Sequence, residues 1–395
     1  MGASRPYNPK YGVNMMSTAK HRWRFAIVGL VVATSVLSAT AQETTGRRIA
    51  AALDEFVKSK SLAGAVVLVA DKDKVLALES VGHADIEHNS LMRNDAVFWI
   101  ASQSKPITAA GLMLLVDDGK VSLDDPVEKY LPEFKAIRLK GERPETTMSV
   151  RHLLAHTSGL PFQSAEERPT LDKLTLKEAV TSYARTPLLS EPGSKYQYSN
   201  AGINAAGRII EVVSGMSYED FMDKRLFGPL GMKDTTFWPS EEQVKRLARS
   251  YRPNKGKDGL EATTIVQLKY PLSDRKRQPM PAGGLFSTAT DVAHFCQMML
   301  GGGVYKGKRI LSEDAVKELS RRQTGKSLKV SYGLGFATAG DGFGHGGAMS
   351  TQMWIDTKHG LVTVFLVQHA GFPGNGGQSY GAFRQAVAKE FAAGK

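Results

Sequence analysis

Phe98-Trp99-Ile100-Ala101-Ser102-Gln103-Ser104-Lys105-Pro106 is the stretch on which the fold turns. A short apolar run leads into a serine and, three positions on, a lysine. Residues 108–117 continue with helical periodicity, and Gly119 is placed to end the helix. Positions i and i+3 share a helix face, so the Ser102 hydroxyl and the Lys105 amine are expected to meet. A lysine so placed can take the serine proton once burial or neighbouring cations lower its pKa. Pro106 agrees with this placement, because the first helical turn needs no N–H there. The same Ser-x-x-Lys string occurs at Ser17…Lys20 and Ser273…Lys276. The first lies in an N-terminal leader and the second in a polar loop, so only Ser102 opens an apolar helix.

Two further strings gain weight beside it. Tyr198-Ser199-Asn200 follows the turn Glu191-Pro192-Gly193. A tyrosine hydroxyl relays a proton when nearby cations depress its pKa. An asparagine amide offers a donor and an acceptor to a substrate amide. Alone, the string reads as an asparagine-capped turn. His345-Gly346-Gly347 precedes an expected strand over 351–355. Glycines at a strand edge let a substrate approach the backbone, where an N–H can serve an oxyanion. His369-Ala370-Gly371 shares the spacing but reads as a glycine turn.

In this order, with gaps of 96 and 147 residues, the strings resemble the serine β-lactamase and penicillin-binding-protein superfamily. The resemblance is greatest to the class C β-lactamase-like branch, which also holds DD-peptidases, D-aminopeptidases and esterases. It covers nearly the whole chain after the leader. Leu153-Leu154-Ala155-His156-Thr157-Ser158-Gly159-Leu160, Leu123-Asp124-Asp125-Pro126-Val127, Leu230-Gly231-Met232 and Ala282-Gly283-Gly284-Leu285-Phe286-Ser287-Thr288 are similar to segments of that branch. The resemblance implies that Ser102 is acylated and that Lys105 and Tyr198 share its proton. It further implies that Asn200 holds a substrate amide, that Gly346 and Gly347 border the substrate, and that Ser102 and Ala348 supply oxyanion N–H groups. His345 takes a catalytic position that is lysine in class C β-lactamases. Lysine gives a permanent charge suited to a substrate carboxylate, whereas histidine is mostly neutral at pH 7. That shifts the expectation from a β-lactamase toward a peptidase or esterase. Met349-Ser350 follows Ala348 where the branch has a glycine, which narrows the edge of the site. An ester, an amide and a β-lactam all remain open as substrates. The alternative is a peptidoglycan-binding, penicillin-binding protein with little or no turnover.

Around these strings the order of elements is α+β. A helix over 50–57 is followed by β-rich runs over 65–70 and 75–78, separated by a turn at 71–74. Helices are expected at 176–184, where Thr175 and Glu178 have capping-box spacing, at 204–214 and at 289–300. Strands return at 332–338, 351–355 and 361–368, with a last helix over 382–393. The expected architecture is a mixed α/β fold, with an antiparallel sheet flanked by terminal helices. The sheet subdomain takes residues 42–130 and 271–395, and an inserted helical subdomain takes 131–270.

Residues 20–41 have the grammar of an export signal: the basic run Lys20-His21-Arg22-Trp23-Arg24, an apolar stretch to Leu37, and Ala39-Thr40-Ala41. We expect cleavage after Ala41, an exported periplasmic or extracellular protein, and a true start at Met15 or Met16; an uncleaved N-terminal anchor is the alternative. The leader holds five of the basic residues and no acid, which leaves +7 of the formal +12. That excess permits only weak attraction to an anionic envelope surface. Arg275-Lys276-Arg277 reads as solvated surface, and no basic stripe suggests nucleic acid. The expected partner is therefore a small-molecule or peptidoglycan-derived substrate, met by a monomer. Cys296 sits in an apolar helical pattern and reads as packing. No Cys/His spacing suggests a metal, no cofactor is implied, and His152 and His156 read as structural. Gly342–Gly347 matches G-x-G-x-x-G, but a strand rather than a helix is expected after it, which argues against a dinucleotide.

Overall fold

The computed structural model describes residues 44–391. The leader, its cleavage position and the alternative starts lie outside the described residues. Helices α1 (residues 44–51) and α2 (Asp54–Lys58) precede strands β1 (Gly64–Ala70), β2 (Val75–Asp85), β3 (Ser90–Leu91) and β4 (Phe98–Trp99). Seven helices follow: α3 (Ser104–Asp117), α4 (Val150–Leu154), α5 (Leu176–Arg185), α6 (Asn200–Ser214), α7 (Tyr218–Met222), α8 (Gly228–Leu230) and α9 (Glu241–Lys245). Next come the hairpin β5 (Ser250–Pro253) and β6 (Leu260–Thr263), then β7 (Phe286–Ser287) and α10 (Ala289–Leu300). The hairpin β8 (Val304–Tyr305) and β9 (Lys308–Arg309) leads to α11 (Glu313–Ser320). The chain closes with β10 (Ala337–Ala339), β11 (Gly342–Gly346), β12 (Gln352–Asp356), β13 (Leu361–Leu366) and α12 (Ser379–Phe391).

Seven strands form one antiparallel sheet in the order β10-β11-β12-β13-β1-β2-β3. The N-terminal strand β1 lies inside it, with Val67 opposite Phe365 of β13 and Leu68 opposite Leu78 of β2. All seven β1 residues are buried. Their alternation explains why none can be polar. Val66, Leu68 and Ala70 enter the main core with Val292 and Phe295 of α10. Ala65, Val67 and Val69 enter a second core with Ile49, Phe56, Phe383 and Val387 of the terminal helices. Each fully buried valine or leucine contributes about 1.5–3 kcal/mol, so the terminal helices are what make the outer face of the sheet stable.

The structure departs from the sequence reading at several points. The helix expected over 50–57 is divided by a turn at Ala52 and Leu53. The strand expected over 332–338 contracts to β10, because Gly335, at φ +75°, packs on α3 where an added Cβ would lie 2.9 Å from Lys105 O. The glycine-rich run 342–346 is itself a strand. Glycine has low β propensity, so this strand is imposed by pairing with β10 and β12 rather than by its residues. Arg277, read as solvated, is 2% exposed and forms a buried ion pair with Asp172. Cys296 is fully buried, its sulfur 3.7 Å from that of Met353. The Thr175–Glu178 capping box is present at α5.

Candidate active site

Ser102 is not the first residue of an α-helix. It lies in a single 3₁₀ turn, Ala101–Gln103, between β4 and α3. Ala101 holds φ +47°, a left-handed conformation that costs a non-glycine residue about 1–2 kcal/mol. Ser104 Oγ secures the turn by donating to Ala101 O at 2.7 Å and accepting from Leu285 N–H. The lysine follows on the first turn of α3. Its side chain is completely buried, with Nζ 3.0 Å from Ser102 Oγ and 2.7 Å from Ala282 O. Burial holds the Lys105 pKa well below the ordinary lysine range. A carbonyl only accepts, so one N–H of the amine goes to Ala282. The lone pair of a neutral amine is then free to face the serine proton.

Tyr198 packs its ring against the same amine, 4.7 Å from Nζ. The sequence reading made a proton relay conditional on nearby cations depressing the tyrosine pKa. Burial instead pushes it up to about 12, with only partial relief from the Ser102 hydroxyl. Burial lowers the proton affinity of Lys105 as well, so the amine gives the phenol little help to ionise. Tyr198 is therefore a proton donor at neutral pH. Ser199 caps α6 by accepting from Gly202 N–H at 3.1 Å, which places Asn200 as the first helical residue. Asn200 is 3% exposed, and its Oδ1 is buried without a hydrogen-bond partner.

His345 lies on β11 with its ring 6.1 Å from that of Tyr198. Its Nδ1 is 2.6 Å from Gly346 O, so Nδ1 carries the proton and donates. Its Nε2 is then the acceptor for the Tyr332 hydroxyl at 2.9 Å. Burial and the Lys105 amine lower its pKa to about 3, so the ring is neutral. Gly347 cannot be larger: an added Cβ would lie 2.2 Å from Thr351 Oγ1 and 2.5 Å from Ile100 O. This close approach seats Ala348 beside Ser102 on one cavity.

That cavity, about 260 Å³, is walled by Trp99, Phe162, Leu171, Val266 and Met280, and Asn200 reaches it from α6. None of its lining residues is charged. The structure thus brings together Ser102, Lys105, Tyr198, Asn200, His345, Gly346, Gly347 and Ala348. Sequence reasoning missed three contributors. Tyr332 occupies His345 Nε2 and holds the ring, and nothing in its local sequence marks it. Ala282 receives the lysine N–H, yet it acts through its backbone. His156, treated as structural, accepts from Ser199 N–H at 3.2 Å and packs its ring, tilted by 50°, 4.5 Å from that of Tyr198. Its place in a family-like segment was the available signal. Among the described residues no cluster of three or more His, Cys, Asp or Glu side chains could hold a metal ion.

The Beta-lactamase family model matches residues 49–386. Esterase EstB of Burkholderia gladioli is 28% identical over 86% of this chain and 94% of its own length. Penicillin-binding protein 4 of Amycolatopsis lactamdurans is 32% identical over 69% of this chain and 72% of its own. Among solved structures, EstCE1, a hydrolase with promiscuous acyltransferase activity, superposes with a TM-score of 0.76 at 24% identity, covering 88% of this chain and 99% of its own. A family match of that extent makes this chain a member of the beta-lactamase family and a serine hydrolase of that lineage.

Proposed function

We propose that the chain hydrolyses uncharged carboxylic esters carrying an apolar acyl group, through an acyl-enzyme on Ser102. The observation that carries this reading is the uncharged cavity beside Ser102, backed by a neutral His345 where class C β-lactamases have lysine. No cation there offers a charge to a carboxylate, whereas Trp99, Phe162 and Met280 offer apolar surface. The esterase name of one relative supports it.

The steps follow from the protonation states. Ser102 Oγ attacks the ester carbonyl carbon while its proton passes to the neutral Lys105 amine. The carbonyl oxygen becomes an oxyanion facing the backbone N–H groups of Ser102 and Ala348. Tyr198, protonated, gives its proton to the departing alkoxide, and the lysine ammonium restores the tyrosine. Water then attacks the acyl carbon, its proton passes to the same pair, and Ser102 leaves with its hydroxyl restored. The leader proposes where this happens: an exported enzyme in the periplasm or outside the cell, working as a monomer.

One observation favours a second reading. The unpaired Asn200 Oδ1 is suited to accept an N–H, which an amide side chain on a peptide or β-lactam would supply. A penicillin-binding protein of low turnover is that alternative. A substrate panel separates them: a p-nitrophenyl butyrate, nitrocefin, a D-Ala-D-Ala peptide and a D-aminoacyl anilide, each with wild type and Ser102→Ala. Ester turnover well above the others, lost in Ser102→Ala, is expected. Turnover surviving that substitution, or confined to the peptide or the lactam, overturns the proposal.

A further inference from the structure

Pro281-Ala282-Gly283 belongs to no helix or strand, yet it forms the floor beneath Lys105. Its backbone polar groups are taken by side chains from three separate elements. Thr108 of α3 donates to Pro281 O at 2.8 Å. Trp99 of β4 donates through Nε1 to Gly283 O at 2.7 Å. Asn204 of α6 accepts from Ala282 N–H at 3.0 Å. The Gly283 N–H donates to Met280 O at 3.1 Å, and Ala282 O accepts from Lys105 Nζ.

Asn204 is itself held from behind. Its Nδ2 donates to Tyr183 Oη at 2.9 Å, Tyr183 donates to Glu167 Oε1 at 2.6 Å, and Glu167 Oε2 accepts from Ser164 N–H at 2.7 Å. Asn204, Tyr183 and Glu167 are 2%, 0% and 1% exposed. Donors and acceptors run in one direction, from Ala282 N–H to the buried carboxyl. Reversing the Asn204 amide would set Nδ2 against Ala282 N–H and break the series at its centre.

We propose that Asn204, backed by Tyr183 and Glu167, is a positioning residue for Lys105. Through the Ala282 peptide it fixes the carbonyl that takes one lysine N–H, and so aims the nitrogen lone pair at Ser102. The role rests on Lys105 acting as the base for Ser102. The titratable groups facing the amine are Tyr198, His156 and His345, and all three are uncharged: burial raises the tyrosine and lowers both histidines. The Ala282 carbonyl is therefore the closest fixed dipole that favours the ammonium form. Loosening it lowers the proton affinity of Lys105 and also misdirects the lone pair.

The test measures kcat and KM for p-nitrophenyl butyrate, and the rate of Ser102 labelling by a fluorophosphonate, against pH. Asn204→Leu removes the acceptor at similar volume. We expect kcat to fall about 10²-fold with KM within about twofold, as for a misplacement near 1 Å. The rising limb of both pH profiles should move to lower pH by about 0.5 unit or more, because a charge-assisted hydrogen bond to the ammonium is weakened. Tyr183→Phe deletes one hydroxyl and should move the same limb in the same direction by less; it carries the test if Asn204→Leu does not fold. Folded variants with an unmoved limb, or a loss confined to KM, overturn the positioning role while leaving the proposed function intact. A wild-type protein that neither labels nor turns over ester overturns both.

Discussion

Arg277→Ala should destabilise this protein far more than its place in a basic run suggests. Arg277 and Asp172 are 2% and 1% exposed, with Nε 2.6 Å from Oδ2. The guanidinium also donates to Phe237 O at 3.0 Å and Leu272 O at 2.5 Å. After truncation, the buried Asp172 carboxylate keeps only Lys269 N–H, at 3.1 Å from each oxygen. Removing one partner of a buried pair costs about 3–5 kcal/mol, and the two deserted carbonyls can add roughly 1 kcal/mol each, not additively. That is a large part of a typical stability of about 5–15 kcal/mol. Replacing both charges, as in Asp172→Leu with Arg277→Met, removes the unpaired carboxylate and should lie within about 2 kcal/mol of wild type. Urea unfolding of the two single variants and the double variant measures this directly. A loss below about 1 kcal/mol in Arg277→Ala, or a double variant as unstable as the single, would refute the assignment. The pair also reaches function. Leu171 N–H donates to Gln267 O and Gln278 N–H to Asp172 O, so it ties together the segments that carry Leu171, Gln267 and Met280 of the cavity wall. The double variant should therefore raise KM for longer acyl esters while Ser102 labelling persists.

Three further outcomes are expected. Tyr198→Phe should depress acylation of Ser102 by an alkyl ester such as ethyl butyrate by about 10²–10⁴-fold, measured as ethanol release under single-turnover conditions, because the leaving alkoxide loses its proton donor; a near-native rate contradicts that role. Lys105→Met should abolish acylation yet raise the melting temperature. The folded Lys105 pKa is lowered, so between that value and the unfolded value near 10.4 the unfolded chain binds more protons and stability rises with pH. The gain, about 1 kcal/mol or more, should be largest at the acid end of that window and vanish as pH passes the unfolded pKa, which thermal melts against pH will show. Gly347→Ala should lower kcat about tenfold or more, because the added Cβ meets Ile100 O at 2.5 Å and displaces the strand edge from Ser102; unchanged steady-state kinetics contradict that close approach.

The parts of the site legible in the sequence are those whose chemistry is local. Ser102 and Lys105 meet because they are three residues apart on one turn, whereas the helix expected from residue 204 starts at Asn200, under a cap from Ser199 that was not read. What escaped notice is tertiary. Tyr332, His156 and Asn204 matter only through partners 13, 43 and 78 residues away. Arg277 is indistinguishable from its exposed neighbours until Asp172 lies against it, and β11 is a strand by pairing alone. Burial is the most consequential unread quantity. Residue types suggest a mostly neutral His345 and a Lys105 that serves as a base once it is buried, but not how far either is enclosed. Enclosure lowers the proton affinity of both, and the Tyr332 hydroxyl and Gly346 carbonyl take both nitrogens of the histidine. On the proposed reading, the enclosure that lowers the proton affinity of Lys105 also disfavours a carboxylate substrate, so a substitution that restores a charge near Ser102 should move selectivity and base strength together.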